Sequence, residues 1–144
     1  MGLGKKINPG FTSLSTYRTI GIIPFIQYHY PKRDDSNRMD VVTGFGISPL
    51  GYQFLKPINQ KNFLNFGIKS GIMFMEKFFP TDKARRLNYT FDLSFSLQRF
   101  VLPKTSVSLG YKFHHISNAQ TGKHNPGVDS NFIFITLKRF SNGN

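Results

Sequence analysis

Hydrophobic and polar side chains alternate along much of this chain. The clearest run is 88–98, in which odd-numbered positions carry aromatic or aliphatic side chains and even-numbered positions carry polar ones. Side chains on a β-strand point alternately to the two faces of a sheet, so strict alternation of this length predicts a strand rather than a helix. The same division recurs at 64–74 and 106–113, and the sequence therefore predicts several two-faced strands.

Turn-forming residues separate these runs and define the predicted strands. Prolines, asparagines and aspartates cluster between the alternating segments, where strands are expected to end. The six predicted strands are about 17–30, 41–55, 63–77, 87–100, 104–117 and 130–140. The sequence predicts an all-β, antiparallel fold in a single domain, 1–144, in which the N-terminal segment 1–15 is poorly defined.

The composition of the two faces indicates which one is buried. The polar faces consist mainly of Gly, Ser, Thr and Asn with few charges, which suits a narrow interior better than a solvated exterior. Phenylalanine is abundant, with 16 residues, and several lie near predicted strand ends, as aromatic girdles at a membrane interface require. These features favour an outer-membrane β-barrel, in which the apolar face contacts lipid and the polar face fills the interior.

The number of predicted strands is lower than such a barrel needs. Bacterial single-chain barrels have an even number of strands, from eight upward. Either Gly4 to Ser15 supply part of another strand, or the first strands precede the sequence given. A secretory signal peptide is also missing, because residues 1–10 lack an apolar region. For an outer-membrane protein we expect an incomplete or processed N-terminus, and a cytoplasmic protein is the rival explanation.

Composition excludes several other classes of protein. No run of 18 or more apolar residues is present, which excludes a transmembrane helix. The absence of cysteine excludes a disulfide framework, a thiolate nucleophile and a cysteine-based zinc site. No spacing of His and carboxylates matches a zinc pattern, and we expect neither a metal nor a cofactor. The net charge of +12 implies an anionic partner, either nucleic acid or anionic lipid.

One segment near the C-terminus combines residue types that are typical of ester hydrolysis. His115 and Ser117 are two positions apart, so on a strand they share a face with the apolar residues that precede them. Asn118 follows directly, and Asp129 comes after an Asn-Pro-Gly sequence. A base, a hydroxyl nucleophile and an acid on an apolar strand face would suit a hydrophobic substrate at a membrane.

This segment closely resembles the signature of the PagL-type lipid A 3-O-deacylases, which are outer-membrane β-barrel esterases with eight strands. The resemblance rests on His-x-Ser-Asn-Ala and Asn-Pro-Gly-x-Asp, and it extends more loosely over about the last two thirds of the chain. It implies a catalytic triad in which Ser117 is the nucleophile, His115 the base and Asp129 the acid, where some members have glutamate. Gln120 is a departure, because members often have glycine after the Ser-Asn-Ala sequence.

The resemblance also implies an oxyanion hole next to the nucleophile. Asn118 would donate a side-chain hydrogen bond to the oxyanion, and the backbone amide of Ala119 or Gln120 would be the second donor. The alternative for Asn118 is a turn residue that leaves the strand, since asparagine bonds readily to local backbone. The Asn-Pro-Gly sequence before Asp129 is expected to be a rigid turn that positions the acid.

Three cations are candidate contacts for the phosphates of lipid A. Arg85 and Arg86 belong to a basic loop, and Lys123 lies between the serine and the acid of the predicted triad. For Lys123 a solvated loop charge is an equal alternative. For Arg85 and Arg86 the solvated charge is the favoured interpretation, because the sequence does not establish which end of the barrel the basic loop occupies.

The sequence as a whole predicts a bacterial outer-membrane serine-type carboxylic ester hydrolase. It would remove an ester-linked acyl chain, at the 3-position according to the resemblance, from the lipid A of lipopolysaccharide. The expected partners are lipid A and outer-membrane lipids, not nucleic acid, and a homodimer is compatible with the sequence. The alternatives are a non-catalytic outer-membrane barrel that binds lipopolysaccharide and, less favoured, a soluble basic β-barrel that binds nucleic acid.

Overall fold

The described part of the protein is one antiparallel sheet. The computed structural model describes residues 1–6, 14–31, 38–81, 83–125 and 127–141, and within these ranges no helix is long and apolar enough to span a membrane. Each strand pairs with the next one along the chain. The strands are β1 (Gly2–Lys6), β2 (Ser15–Pro31), β3 (Met39–Pro57), β4 (Asn62–Phe79), β5 (Arg85–Leu102), β6 (Thr105–Ser117) and β7 (Val128–Arg139). The predicted all-β, antiparallel fold is confirmed.

The six predicted strands correspond to β2 to β7, and β1 is an additional strand. It runs antiparallel to β2, with Gly2 opposite Gly21 and Lys6 opposite Tyr17. Alternation did not reveal β1 because Leu3 is its only large apolar side chain. The prediction that Gly4 to Ser15 supply part of a further strand is thus correct for the segment that ends at Lys6, while 7–13 lie outside the described residues.

Burial in the sheet is inverted relative to a water-soluble protein. Phe95 is 61% exposed although it lies in the middle of β5, whereas Gln98 on the opposite face is fully buried. The same contrast holds along β4, β5 and β6. Exposed apolar residues include Leu64, Phe91, Leu97, Leu109 and Tyr111, and buried polar residues include Asn65, Thr90, Asp92, Ser96, Ser106 and Ser108. The face predicted to contact lipid is the outward one.

Hydrogen bonds cross the interior between described strands that are not neighbours. The Tyr28 hydroxyl on β2 lies 2.7 Å from His114 Nε2 on β6. At the opposite end, Lys138 Nζ on β7 donates to Gln53 Oε1 on β3 over 2.9 Å. The sheet must curl strongly for these strands to meet, as in a barrel. Within the described residues β1 and β7 do not pair, so the curled sheet is not closed.

The connections between strands lie at the two ends of the sheet. At one end are 7–14, 58–61 and 103–104, and at the other end are 32–38, 80–84 and 118–127. An interior apolar cluster lies at the second of these ends. It consists of Tyr28, Val42, Met73, Met75, Phe79 and Ile116. The predicted catalytic residues are at this same end, where β6 finishes and β7 begins.

Candidate active site at the end of β6

The candidate nucleophile and base lie on the outward face of the last residues of β6. Ile116, between them, is fully buried and packs in the interior apolar cluster. Because side chains alternate along a strand, burying Ile116 turns His115 and Ser117 outward, in line with Tyr111 and Phe113. The interior cluster therefore fixes the direction of both side chains.

His115 forms the contact that the sequence predicted with the acid. It lies opposite Asp129 in the register of β6 and β7, and its Nδ1 is 2.6 Å from Asp129 Oδ1. An ionised carboxylate can only accept, so Nδ1–H donates and Nε2 of a neutral ring is left as an acceptor. The two side chains are 39% and 62% exposed, respectively, so the pair is open on the outer surface. This is the tautomer that a histidine needs in order to act as a general base.

Ser117 is two residues beyond His115 on the same face, which corresponds to a separation of about 7 Å between Cα atoms. Its hydroxyl makes no hydrogen bond within the described residues. Serine and histidine in an unliganded site often approach hydrogen-bonding distance only when substrate is bound.

Gly127 packs directly against the His115 ring. A Cβ atom at this position would lie 2.6 Å from His115 Cε1 and 3.3 Å from Nε2. Any side chain there would displace the ring, so glycine is required by the close approach. The sequence suggested only a turn role for this residue, since a glycine that contacts a side chain looks the same as one that forms a turn.

Asn118 holds the loop between β6 and β7 together. It is fully buried, its Nδ2 donates to the His124 carbonyl over 2.6 Å, and its backbone N–H donates to Asn125 Oδ1 over 3.0 Å. These contacts match the turn role that the sequence left open for Asn118. They direct its amide into the loop, and they do not support the predicted side-chain bond to the oxyanion.

The next two residues leave their backbone amides free. Thr121 N–H donates to the Asn118 carbonyl over 3.0 Å, and Ala119 and Gln120 have φ angles of 49° and 62°. A hydrogen bond of this kind around two left-handed residues is typical of a type I′ turn. No described residue accepts a hydrogen bond from the amide of Ala119 or Gln120. Gln120 therefore occupies a left-handed position that favours glycine, the residue that the resembling deacylases often have there.

Two of the three candidate phosphate contacts lie beside this loop. Arg85 Nε donates to the Thr121 carbonyl over 3.1 Å, and Lys123 is exposed in the same loop. Arg86 instead holds its guanidinium over the Phe78 ring, 5.7 Å from the centroid. The sequence could not establish the end of the barrel at which the basic loop lies. The structure brings Arg85 to the same end as Ser117.

The remaining titratable groups do not form a metal site. In the described ranges no cluster of three or more His, Cys, Asp or Glu side chains is arranged to hold a metal ion. His114 faces the interior, where its Nδ1 contacts Asp92, and His124 is exposed in the loop.

Comparison with known proteins gives one family match. The model of one protein family, described as lipid A 3-O-deacylase (PagL), matches residues 5–138, nearly the whole chain. No curated protein and no solved structure matches the chain.

The left-handed conformation of Gln120 gives a prediction about stability. A non-glycine residue in this region costs about 1–2 kcal/mol, whereas glycine costs about 0.5–1 kcal/mol in lost chain entropy, so Gln120→Gly should raise the free energy of unfolding by up to about 1 kcal/mol. Lys123→Gly is the matched control in the same loop, because Lys123 does not have positive φ. It should lower the free energy of unfolding slightly. Urea unfolding of both variants measures the difference, and equal losses would contradict strain at Gln120.

Proposed function

The chain belongs to the lipid A 3-O-deacylase (PagL) family, and from this we propose that it is an outer-membrane serine esterase acting on its outward face. It removes the acyl chain esterified at the 3-position of lipid A. The observation that carries the proposal is the bond between His115 Nδ1 and Asp129 Oδ1, formed on the outward apolar face beside Ser117. A triad oriented in this way meets a substrate in the membrane rather than one in the barrel interior.

The proposed reaction proceeds through an acyl-enzyme. Ser117 Oγ attacks the ester carbonyl while His115 Nε2 accepts its proton, and Asp129 stabilises the resulting imidazolium. When the bond to the sugar oxygen breaks, His115 returns the proton to that oxygen, which leaves as an alcohol. Water, deprotonated by His115, then attacks the acyl-enzyme, and the fatty acid is released as Ser117 regains its proton.

The backbone amides of Ala119 and Gln120 are the proposed oxyanion donors. Both are unpaired within the described residues, and they directly follow the strand end that carries the nucleophile. One such donor typically contributes about 3–4 kcal/mol to stabilisation of the transition state. Asn118 contributes indirectly, because its bonds to the His124 carbonyl and Asn125 hold the turn that presents these amides.

The position of Ser117 within the apolar band suits an ester at the boundary between acyl chains and headgroup. Ser117 lies opposite Tyr89, and the outward band continues past that level through Leu87 and Phe74. Acyl chains would therefore pack beside the nucleophile. Arg85 and Lys123, at the polar edge of this band, are proposed to bind the phosphates of lipid A, for which the guanidinium can make bidentate bonds. Arg86 is a weaker candidate because it contacts Phe78.

Strand length and loop length support the proposed location. Strands β2 to β7 have 12 to 19 residues, more than the roughly 9–11 that a tilted strand needs to cross the hydrocarbon. Outer-membrane barrels have short periplasmic turns and longer extracellular loops. The longest connection, 118–127, is at the end that carries the triad, so we propose that this end faces the cell exterior, where lipopolysaccharide resides. The homodimer stays a prediction.

The central test is replacement of the nucleophile. Ser117→Ala should lower fatty-acid release from lipid A by about 10⁴-fold or more, because no covalent intermediate can form. The protein should still fold, since a half-exposed hydroxyl supports no core packing. Ser70→Ala, which changes another outward serine, is the matched control and should keep full activity. Mass spectrometry of lipid A decides the outcome: deacylation by the Ala variant would indicate another nucleophile, and an inactive parent would favour the non-catalytic barrel.

Replacement of the acid tests the triad against a simpler serine–histidine pair. Asp129→Asn should keep the fold but lose most activity, because an amide can hold the wrong histidine tautomer, a change that costs about 10⁴-fold in serine proteases. Asp129→Glu should be milder, because glutamate supplies the same carboxylate. Initial rates of fatty-acid release measure the series, and an Asn variant as active as the parent would exclude Asp129 from the mechanism.

The outward face can be tested by chemical labelling. The chain has no cysteine, so Phe95→Cys provides a single reporter in the middle of the apolar face. In liposomes it should react with a membrane-restricted probe and resist a water-soluble maleimide. Lys123→Cys, in the exposed loop, should show the opposite preference. Rapid aqueous labelling at both positions in the folded protein would place the apolar face in water and contradict the membrane location.

A further inference from the structure

A buried hydrogen-bond network lies behind the candidate active site. His114 is fully buried, its Nδ1 contacts Asp92 Oδ1, and its Nε2 lies 2.7 Å from the Tyr28 hydroxyl. An ionised carboxylate can only accept, so Nδ1–H donates to Asp92, and Nε2 forms the second hydrogen bond with the Tyr28 hydroxyl. Phe79 stacks on Tyr28 with centroids 5.0 Å apart, and Phe132 meets the His114 ring edge-on at 5.9 Å. Every polar atom of the imidazole is thus satisfied, and both rings have aromatic neighbours.

The network connects three strands at the level of the catalytic pair. Asp92 on β5 is the register partner of His114, and the adjacent pair is Phe91 with His115. Tyr28 reaches the same point from β2, across the interior. The network therefore holds the backbone of β6 one residue from the catalytic base.

A second interior contact provides an internal comparison. Lys138 Nζ on β7 donates to Gln53 Oε1 on β3 over 2.9 Å and to Gln98 Oε1 on β5 over 3.3 Å. It also links strands that are four places apart in the sheet, but it lies at the end away from the triad. If interior contacts served only to hold the curled sheet together, the two would be equivalent in function.

We propose that Tyr28, His114 and Asp92 are positioning residues for the deacylase reaction, a role that rests on the proposed function. From inside the barrel they fix the position and tilt of the last residues of β6. On the outward face, His115 and Ser117 can then approach each other. The physical reason is that a hydrogen bond depends on direction, whereas an apolar contact does not. The apolar contacts of Ile116 fix which way β6 faces but tolerate sliding, whereas hydrogen bonds to both nitrogens of one buried ring fix its position. A displacement of about 1 Å at reacting groups can lower the rate about 100-fold.

The test compares two variants, each of which removes one polar group from one of the two interior contacts. Tyr28→Phe removes one hydroxyl and keeps the ring that stacks on Phe79. Lys138→Met removes the ammonium at the far end and keeps a long side chain. For both variants and the parent, kcat and KM on purified lipid A are measured, together with the unfolding temperature and the NMR resonances of the His115 ring.

We expect Tyr28→Phe to lower kcat about 10- to 100-fold with KM within twofold, and to shift the His115 resonances. Lys138→Met should lower the unfolding temperature by a similar amount while leaving kcat and the His115 resonances unchanged. Unaltered kcat and resonances in Tyr28→Phe, or equal losses of kcat in the two variants, would overturn the positioning role. If the parent itself did not deacylate lipid A, the proposed function would fail, and the His115 resonances would still decide whether the network positions that ring.

Discussion

The register of β6 between its two neighbours is the constraint on which the rest of this structure depends. Adjacent residues of a strand face opposite sides, so His114 enters a buried network while His115 joins Asp129 on the outer surface. A slip of one residue would exchange the two histidines, and it would also turn the apolar face inward. The same pairing thus decides which side chains face outward, which fill the interior and where the candidate catalytic side chains point. For this reason fold and site cannot vary independently in this protein.

Much of the fold could be predicted from the sequence because the interior is polar and the exterior apolar. Alternation is strongest in strands that have one apolar and one polar face. β5 is such a strand, and there the predicted and observed strands agree. It fails for β1, where glycines leave no pattern to detect. The particular contacts that join distant strands across the curled sheet were also beyond the sequence. The contact between Tyr28 and His114 joins residues 86 positions apart, and nothing local marks it.

The candidate site, like the fold, was predicted only in part from the sequence. The roles of His115, Ser117 and Asp129 came from a spacing shared with a known family, and the observed register brings His115 and Asp129 into contact. The conformation of the loop after β6 was predicted less well, because it depends on the hydrogen-bond partners of Asn118. The side-chain Nδ2 of the buried Asn118 donates to the loop carbonyl of His124 and does not face outward to a substrate. Sequence identifies such a residue but not the direction of its amide.

The position of Asp129 at the start of β7 links chemical competence to the order of assembly. Among the described strands β7 comes last in chain order, and its other edge has no partner in the described part of the sheet. An intermediate containing β1 to β6 would already carry the serine and the histidine, but the histidine would lack the acid that holds its tautomer. The acid arrives only when β7 docks against β6 in the correct register. The serine and histidine would in this way acquire their acidic partner only after the sheet has assembled as far as β7.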